Sequence, residues 1–248
     1  MIEVQDLQKR FGAIPAVSNL SFAAPDGTIT GLLGANGAGK TTTLRMICGV
    51  LKPDAGSVRI DDLPAANDGL ALQRRVGALL DHIGLYPRLT AREHLVYFGR
   101  LHGISPSCLS ERIDQVLSLL GLELAADRRT AGFSQGERMK IALGRALIHS
   151  PRNLVLDEPT NGLDVPTVRA LRNVLVKMRD SGMCIILSSH VLNEIRALCN
   201  QVVIVSQGSL VAHGCPEDLC RQSASASLED AFVTLTSPKE NIECLPHR

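Results

Sequence analysis

The sequence predicts an α/β fold in which helices cover a parallel β-sheet. Three short apolar runs have the length and composition of buried strands, and helical segments that begin near Pro166 and Val191 separate them; the runs span 153–156, 184–187 and 202–206. An earlier apolar run, Ile29–Leu33, enters a glycine-rich stretch and then a helical segment over 40–50. Strands that alternate with helices are typical of a parallel sheet, whose ligands bind beyond the carboxyl ends of the strands.

Residues from about 82 to 149 predict a mainly helical insertion after a further strand over 76–80. Thr90 and Glu93 form the pattern of a capping box at a helix start. An apolar stripe with helical spacing follows, formed by Leu109, Ile113, Val116, Leu117 and Leu120. We expect one domain over 1–214, then a tail over 215–248 with one short helix at 228–235.

The composition argues against several classes of protein. Lys and Arg total 26 against 25 Asp and Glu, so the net charge of +1 provides no basic face for nucleic acid. The seven cysteines form no CxxC pair, which favours free thiols in a reducing compartment. The chain has neither a signal-peptide pattern nor an apolar run of membrane-spanning length, so we expect a cytosolic protein.

Eight consecutive residues fit the GxxxxGK[ST] pattern of a phosphate-binding loop: Gly34, Ala35, Asn36, Gly37, Ala38, Gly39, Lys40 and Thr41. Glycines allow successive backbone N–H groups to turn towards phosphate oxygens at the positive end of a helix. In this pattern Lys40 reaches the β- and γ-phosphates, and the Thr41 hydroxyl is a ligand for Mg²⁺. The alternative is a plain glycine-rich turn, which chance would match in about one chain in a hundred of this length. The pattern therefore predicts a nucleotide site.

Two acids end the apolar run at 154–156. Adjacent strand residues point to opposite sides, so Asp157 and Glu158 are expected to perform different tasks. Asp157 is placed to hold Mg²⁺, and Glu158 to act as general base towards the attacking water. The alternative is a solvated strand end, which the neighbouring phosphate loop disfavours.

A third segment, Phe133-Ser134-Gln135-Gly136-Glu137, opens a predicted helix. Ser134 and Glu137 have the spacing of a capping box, so one interpretation is simply a well-capped helix. That interpretation leaves Gly136 unexplained, because glycine in a first turn costs about 1 kcal/mol relative to alanine. A phosphate that approaches the backbone closely would explain it.

This segment resembles a variant of the LSGGQ signature of ABC ATPases, and the other motifs of that family occur in order. Asp157-Glu158-Pro159-Thr160 is similar to the Walker B end, Asn161-Gly162-Leu163-Asp164 to the D-loop, and Ser188-Ser189-His190 to the switch-histidine segment. Phe11 lies where the family places an adenine-stacking aromatic residue, with ordinary packing as the alternative. The resemblance covers about residues 2–214.

The resemblance implies a P-loop NTPase (RecA-like) parallel-sheet core of ABC ATPase type, with an N-terminal antiparallel β region and an inserted α-helical subdomain. It implies that loop residues through Thr42 bind ATP and that Lys40, Glu158 and His190 act in its hydrolysis. It further implies a head-to-tail homodimer or heterodimer, in which Ser134, Gly136 and Glu137 of one subunit contact ATP held by the other. The partner would be a separate permease, with this chain peripheral at the cytoplasmic face of the membrane.

One position departs from the family pattern. Where most ABC ATPases carry a glutamine that touches Mg²⁺ and the attacking water, this sequence has Asp81, which can still bind a metal. An acid here is similar to the exporter-type ATPases of the ABC-2 group, including sodium-extrusion ATPases, as is the tail run 228–232. The resemblance therefore implies export, of Na⁺ or another small substrate.

Three of the seven aromatic residues, Tyr86, Tyr97 and Phe98, cluster at the edge of the helical insertion. Core packing and a groove that receives a short helix of the membrane partner are two open interpretations.

Two other functions compete with transport. A non-transport ABC ATPase acting on DNA or ribosomes would be expected to carry long coiled coils or two ATPase domains, which this sequence lacks. A P-loop kinase or GTPase would leave the signature, the D-loop and the switch histidine unexplained. A transporter subunit is the preferred hypothesis.

Overall fold

The computed structural model describes residues 1–65, 69–80 and 84–237. In these ranges the strands are β1 (Ile2–Phe11), β2 (Ile14–Ala24), β3 (Ile29–Leu33), β4 (Ala55–Ile60), β5 (Leu63–Pro64), β6 (Val76–Leu79), β7 (Asn153–Leu156), β8 (Cys184–Ser189), β9 (Gln201–Ser206) and β10 (Ser209–Gly214). The helices are α1 (Lys40–Ile47), α2 (Gly69–Arg75), α3 (Ala91–Leu101), α4 (Pro106–Leu120), α5 (Gln135–Leu147), α6 (Val165–Asp180), α7 (Leu192–Leu198), α8 (Pro216–Gln222) and α9 (Leu228–Thr236).

The strands form two sheets. The larger has the order β10-β9-β3-β8-β7-β6, and its pairs are parallel except for β9 with β10. Strands β3, β7 and β8 are buried along their whole length, as expected of strands covered on both faces. The smaller sheet is antiparallel, in the order β2-β1-β4-β5. The α/β fold with a parallel core and an N-terminal antiparallel region is therefore confirmed.

The two faces of the parallel sheet are covered by different elements. On β7, Val155 packs into a core that the antiparallel sheet and α1 complete. Leu154 and Leu156 point the other way, into a core shared with the helices between β6 and β7 and with α6. Because side chains alternate along β7, this one short strand contributes to the hydrophobic cores on both faces of the parallel sheet.

The predicted helical insertion corresponds to α3, α4 and α5. The capping box of Thr90 and Glu93 is confirmed at the start of α3, and the apolar stripe of α4 is buried. The exact boundaries of the insertion and of the 1–214 domain stay predictions.

The tail differs from the expectation of one short helix, because α8 precedes the expected α9. The prediction missed α8 because it is only seven residues long and its N-cap residue is Cys215, a weak capping type. In the ranges that the structure describes, no helix combines the length and apolar character needed to cross a bilayer.

Candidate functional site

The phosphate-binding loop connects the carboxyl end of β3 to the first turn of α1. Its last glycine, Gly39, has φ of 98°, and a Cβ atom there would lie 2.4 Å from the carbonyl oxygen of Ala16. Only glycine satisfies both conditions. The loop borders a cavity of about 240 Å³, lined by Ala16, Asn36, Gly37, Ala38, Gly39, Lys40, Thr41, Thr42 and Glu158. Of the predicted phosphate-loop residues 34–42, all but Gly34 and Ala35 therefore line one cavity.

Lys40 lies almost buried in this loop. Its ammonium group donates to the carbonyl oxygens of Gly34, at 2.7 Å, and Ala35, at 3.2 Å. It also lies 3.5 Å from Oε1 of Glu158. The loop backbone thus aims a positive charge at the cavity and towards the predicted general base.

Asp157 and Thr41 bring together two side-chain oxygen atoms of the kind that hold a metal ion. The hydroxyl of Thr41 donates to Oδ2 of Asp157 at 2.7 Å, and the other carboxylate oxygen accepts from the buried Ser188 hydroxyl. One carboxylate and one hydroxyl fit Mg²⁺, a hard cation that binds few protein oxygens and completes its shell with phosphates and water. No group of three His, Cys, Asp or Glu side chains that could hold a metal occurs in the described residues.

Glu158 lines the cavity and contacts both His190 and Lys40. Its Oε2 lies 2.8 Å from Nδ1 of His190, and its Oε1 is the oxygen that faces Lys40. Its backbone has φ of 47°, in the left-handed region, and its N–H donates to the hydroxyl of Ser188 at 2.9 Å. Non-glycine residues seldom adopt this conformation, and such residues cluster at functional sites.

The two carboxylates face different partners, as expected, but for a different reason. Alternation of side chains along a strand does not explain the divergence. The strand β7 ends at Leu156, so both acids lie beyond it. The left-handed turn at Glu158 and its bond to Ser188 separate the two side chains.

Ser188 is a site residue whose role its sequence motif does not indicate. It is fully buried, donates to Asp157 and accepts from the backbone N–H of Glu158. A serine at the end of an apolar strand is too common to indicate this. Only the pairing of β7 with β8 brings it beside the two acids.

The signature segment begins α5 with the predicted capping box. The Glu137 N–H donates to the Ser134 hydroxyl at 3.2 Å, and Ser134 N–H donates to Oε2 of Glu137 at 2.9 Å. The other carboxylate oxygen of Glu137 accepts from Arg128. The Glu137 carboxylate is therefore bound within its own chain.

Gly136 has a packing role that its position in the motif does not indicate. A Cβ atom there would lie 2.9 Å from both Cγ2 and Oγ1 of Thr167, on α6. The neighbouring Gln135 donates to the carbonyl oxygen of Asn161 at 3.3 Å. The start of α5 therefore packs against the segment that follows the carboxylate pair, and no signature residue is among those lining the phosphate-loop cavity.

Phe11, a further predicted site residue, does not line this cavity. The ring of Phe11, at the end of β1, is 52% exposed, so it is not a core residue, and the Lys9 ammonium lies 5.9 Å from its centroid. Asp81 lies outside the described residues. The carbonyl oxygen of Leu79, two residues earlier, accepts from the Asp157 N–H at 2.8 Å.

The clustered aromatic residues line a second, apolar cavity. Its volume is about 590 Å³, and its walls are Tyr86, Pro87, Arg88, Leu89 and Tyr97. Tyr86 and Tyr97 are 50% and 43% exposed, so they are not core residues. Phe98 is partly buried beneath them, against the guanidinium of Arg145. The groove interpretation fits the two tyrosines, and the packing interpretation fits Phe98. We call this cavity the aromatic groove.

Comparison with known proteins gives consistent results. The profile of the ABC transporter family matches residues 17–161. The ABC transporter ATP-binding protein NatA of Bacillus subtilis is 36% identical over 239 residues, which cover 94% of this chain and 97% of that protein. The bacitracin transport ATP-binding protein BcrA of Bacillus licheniformis is 36% identical over 85% of this chain and 68% of its own length.

A solved structure described as the ATP-binding subunit of an ABC transporter has the same fold. It is 30% identical, covers 96% of this chain and 100% of its own, and superposes with a TM-score of 0.87. The family profile matches more than half of the chain, and the resemblance seen in the motifs is confirmed. The chain belongs to the ABC transporter family, as an ATP-binding subunit with the ATPase cassette fold.

Proposed function

We propose that this chain binds and hydrolyses ATP to drive export through a separate transmembrane permease. The observation that carries the proposal is the position of Glu158, which lines the phosphate-loop cavity and contacts both Lys40 and His190. A carboxylate between a phosphate-binding lysine and a histidine is placed to act on water beside a terminal phosphate.

The loop residues would bind and orient the nucleotide. Backbone N–H groups of residues 34–42 and the Lys40 ammonium would hold the phosphates. Thr41 and Asp157 would hold Mg²⁺, with Asp81 as a further ligand. Bound Mg²⁺ neutralises charge on the phosphate oxygens.

Glu158 would accept the proton of the attacking water at one of its carboxylate oxygens. His190 would keep that carboxylate in place and contact the terminal phosphate, while Lys40 would balance the negative charge around it. Ser188 would hold the backbone of Glu158 in its left-handed conformation. The contacts of Glu158 with His190, Lys40 and Ser188 support these positioning roles.

The signature segment would act on a second subunit. Ser134 and Gly136 do not line the phosphate-loop cavity of their own chain, which supports a head-to-tail dimer in which they contact ATP across the interface. Glu137 would contribute by holding the Ser134 cap. Phe11, half exposed, would stack on the adenine. The pair would be two copies of this chain, or this chain with a relative.

The aromatic groove would receive a short helix of the permease. It is apolar, exposed and separate from the phosphate-loop residues, as expected of a docking surface. The chain would therefore lie at the cytoplasmic face of the membrane, contact the membrane only through the permease, and have no nucleic-acid partner.

The names of similar proteins support export as the direction of transport. Besides the bacitracin transport protein, they include the linearmycin resistance ATP-binding protein LnrL of Bacillus subtilis, 33% identical over 95% of this chain. They also include the Nod factor export ATP-binding protein I of Paraburkholderia xenovorans, 35% identical over 93%. We propose Na⁺ or another small substrate as the cargo, which the permease would select.

The test is to capture the chain from its native membranes and identify what co-purifies. We expect a polytopic membrane protein without an ATPase domain of its own. Tyr86→Ala with Tyr97→Ala should abolish its recovery. Leu124→Ala, which removes a fully exposed apolar side chain elsewhere in the helical region, is the matched control and should not. Recovery of ribosomes or DNA-repair proteins instead would overturn the transport function.

A further inference from the structure

Two buried side chains hold the backbone of Tyr86, in a wall of the aromatic groove. The Tyr86 N–H donates to Nε2 of His94 at 2.9 Å, and the Tyr86 carbonyl accepts from the Thr130 hydroxyl at 2.9 Å. His94 and Thr130 are 0% and 1% exposed, although both are polar. Buried polar groups are costly unless they are hydrogen-bonded, so these contacts account for their presence in the interior.

The contacts define the protonation state of His94. Because Nε2 accepts a hydrogen bond, it carries no proton, and Nδ1 must donate to the Thr90 carbonyl at 3.0 Å. The ring is therefore neutral, and burial lowers its pKa. The ionisable groups that act on it are Arg145 from α5, Glu93 from its own helix, and Tyr86 from the groove wall.

The same groove wall is bonded to the stretch that leads into the signature segment. The Thr130 N–H donates to the Leu89 carbonyl at 3.0 Å, and the Ala131 N–H donates to the Pro87 carbonyl at 3.1 Å. Thr130 therefore holds the wall with both its backbone and its side chain. Ser134 follows three residues after Ala131.

We infer that His94 and Thr130 are positioning residues that hold Tyr86, so that the wall of the aromatic groove and the stretch leading to Ser134 move as one unit. A displacement of the wall is then passed to the signature serine through hydrogen bonds rather than through the phosphate loop. Protonation of His94 removes its part of this link, because Nε2–H would face the Tyr86 N–H, placing donor against donor. The inference rests on the proposed function only for the identity of the permease as the groove's occupant.

The link can be measured by amide hydrogen exchange on the full chain, resolved to single residues by NMR. In His94→Leu near neutral pH, the amides of Tyr86, Thr130 and Ala131 should exchange at least about tenfold faster than in the wild type. The amide of Leu154, in β7, should not change. The variant His94→Gln is the matched control, since its side-chain oxygen can reach the position of Nε2, and it should exchange like the wild type.

The pH profile separates positioning from a general loss of packing. Corrected for intrinsic rates, exchange of the Tyr86 amide should rise in the wild type as pH falls through the lowered pKa of His94. It should stay flat in His94→Gln, which cannot titrate. Nitrogen chemical shifts of the ring should show the proton at Nδ1.

The outcomes are distinct. An unchanged Tyr86 amide in folded His94→Leu, or a faster Tyr86 amide with unchanged Thr130 and Ala131, would overturn the inference. If His94→Leu does not fold, Thr130→Val removes the other bond with little change of shape, and the same readout applies. The exchange experiment and the capture experiment can also give different answers. If the exchange pattern is as expected but the wild-type chain captures no permease, the link is supported and only the proposed function is contradicted.

Discussion

A Cβ atom on Gly136 would lie 2.9 Å from Oγ1 of Thr167, so a larger residue at the start of the signature helix would force Thr167 on α6 to shift. Gly136 thus has a structural role within its own subunit. That role is separate from the proposed contact with ATP in a second subunit, and the two roles can be distinguished by experiment.

We expect Gly136→Ala to lower the free energy of unfolding by about 1–2 kcal/mol, because the overpacking cost exceeds the gain in helix propensity. Adding Thr167→Ala removes both atoms of the clash and should restore stability in denaturant titrations. ATP hydrolysis should stay low in the double variant, since the added methyl group would still block a phosphate. Hydrolysis that recovers together with stability would show that packing alone requires the glycine.

Glu158→Gln should bind ATP but hydrolyse it about 10²- to 10⁴-fold more slowly, because an amide cannot accept the proton of water. ATP-bound dimers should accumulate and be detectable by size-exclusion chromatography. Lys40→Ala serves as the comparison, since it should lose nucleotide binding itself. Turnover at the wild-type rate in Glu158→Gln would refute the general-base role.

Ser188→Ala should raise the Mg²⁺ concentration needed for half-maximal hydrolysis and lower kcat. It removes the donor to Asp157 and leaves the part-buried N–H of Glu158 without its acceptor, at a cost of about 1 kcal/mol. The matched control is Ser189→Ala, which removes a buried hydroxyl that accepts from the Val191 N–H and contacts neither acid among the described hydrogen bonds. An equal Mg²⁺ requirement in both variants would argue against a positioning role for Ser188.

The stability of the protein should fall as pH decreases from about 6.5 to about 4. The imidazoles of His102 and His149 stack with centroids 3.8 Å apart. Burial is the main cause that lowers the pKa of His149 to about 4, and electrostatic repulsion from His102 is the second. Nε2 of His149 contacts the Val76 carbonyl, whereas Nδ1 is buried without a partner among the residues that the structure describes, so a proton there finds no acceptor among them.

The unfolded chain binds that proton at higher pH than the folded chain does, which is why acid favours unfolding in this window. Urea titrations at several pH values should show a shallower loss in His149→Phe, which keeps the stacked ring but cannot titrate. An equally steep loss in the variant would assign the effect to other groups.

The sequence alone was sufficient for features formed by neighbouring residues. The phosphate loop, the start of α1 at Lys40 and the capping boxes of Thr90 and Ser134 all depend on contacts within a few positions. Backbone conformation and local hydrogen bonds encode such features directly. Side-chain periodicity likewise indicated the buried strands and the stripe on α4.

Tertiary structure decided what depends on residues far apart in the chain. Thr41 meets Asp157 across 116 positions, Ser188 supports two acids 30 and 31 positions away, and Thr167 accounts for Gly136. The role of Thr130 also depends on a contact between distant residues, and that of His94 on a contact with Tyr86, which lies eight positions away. Pairing of β3 and β7 with β8 places Thr41 and Ser188 near the two acids, and the packing of α5 on α6 places Thr167 beside Gly136. The sequence has no local signal that indicates which distant groups the fold brings together.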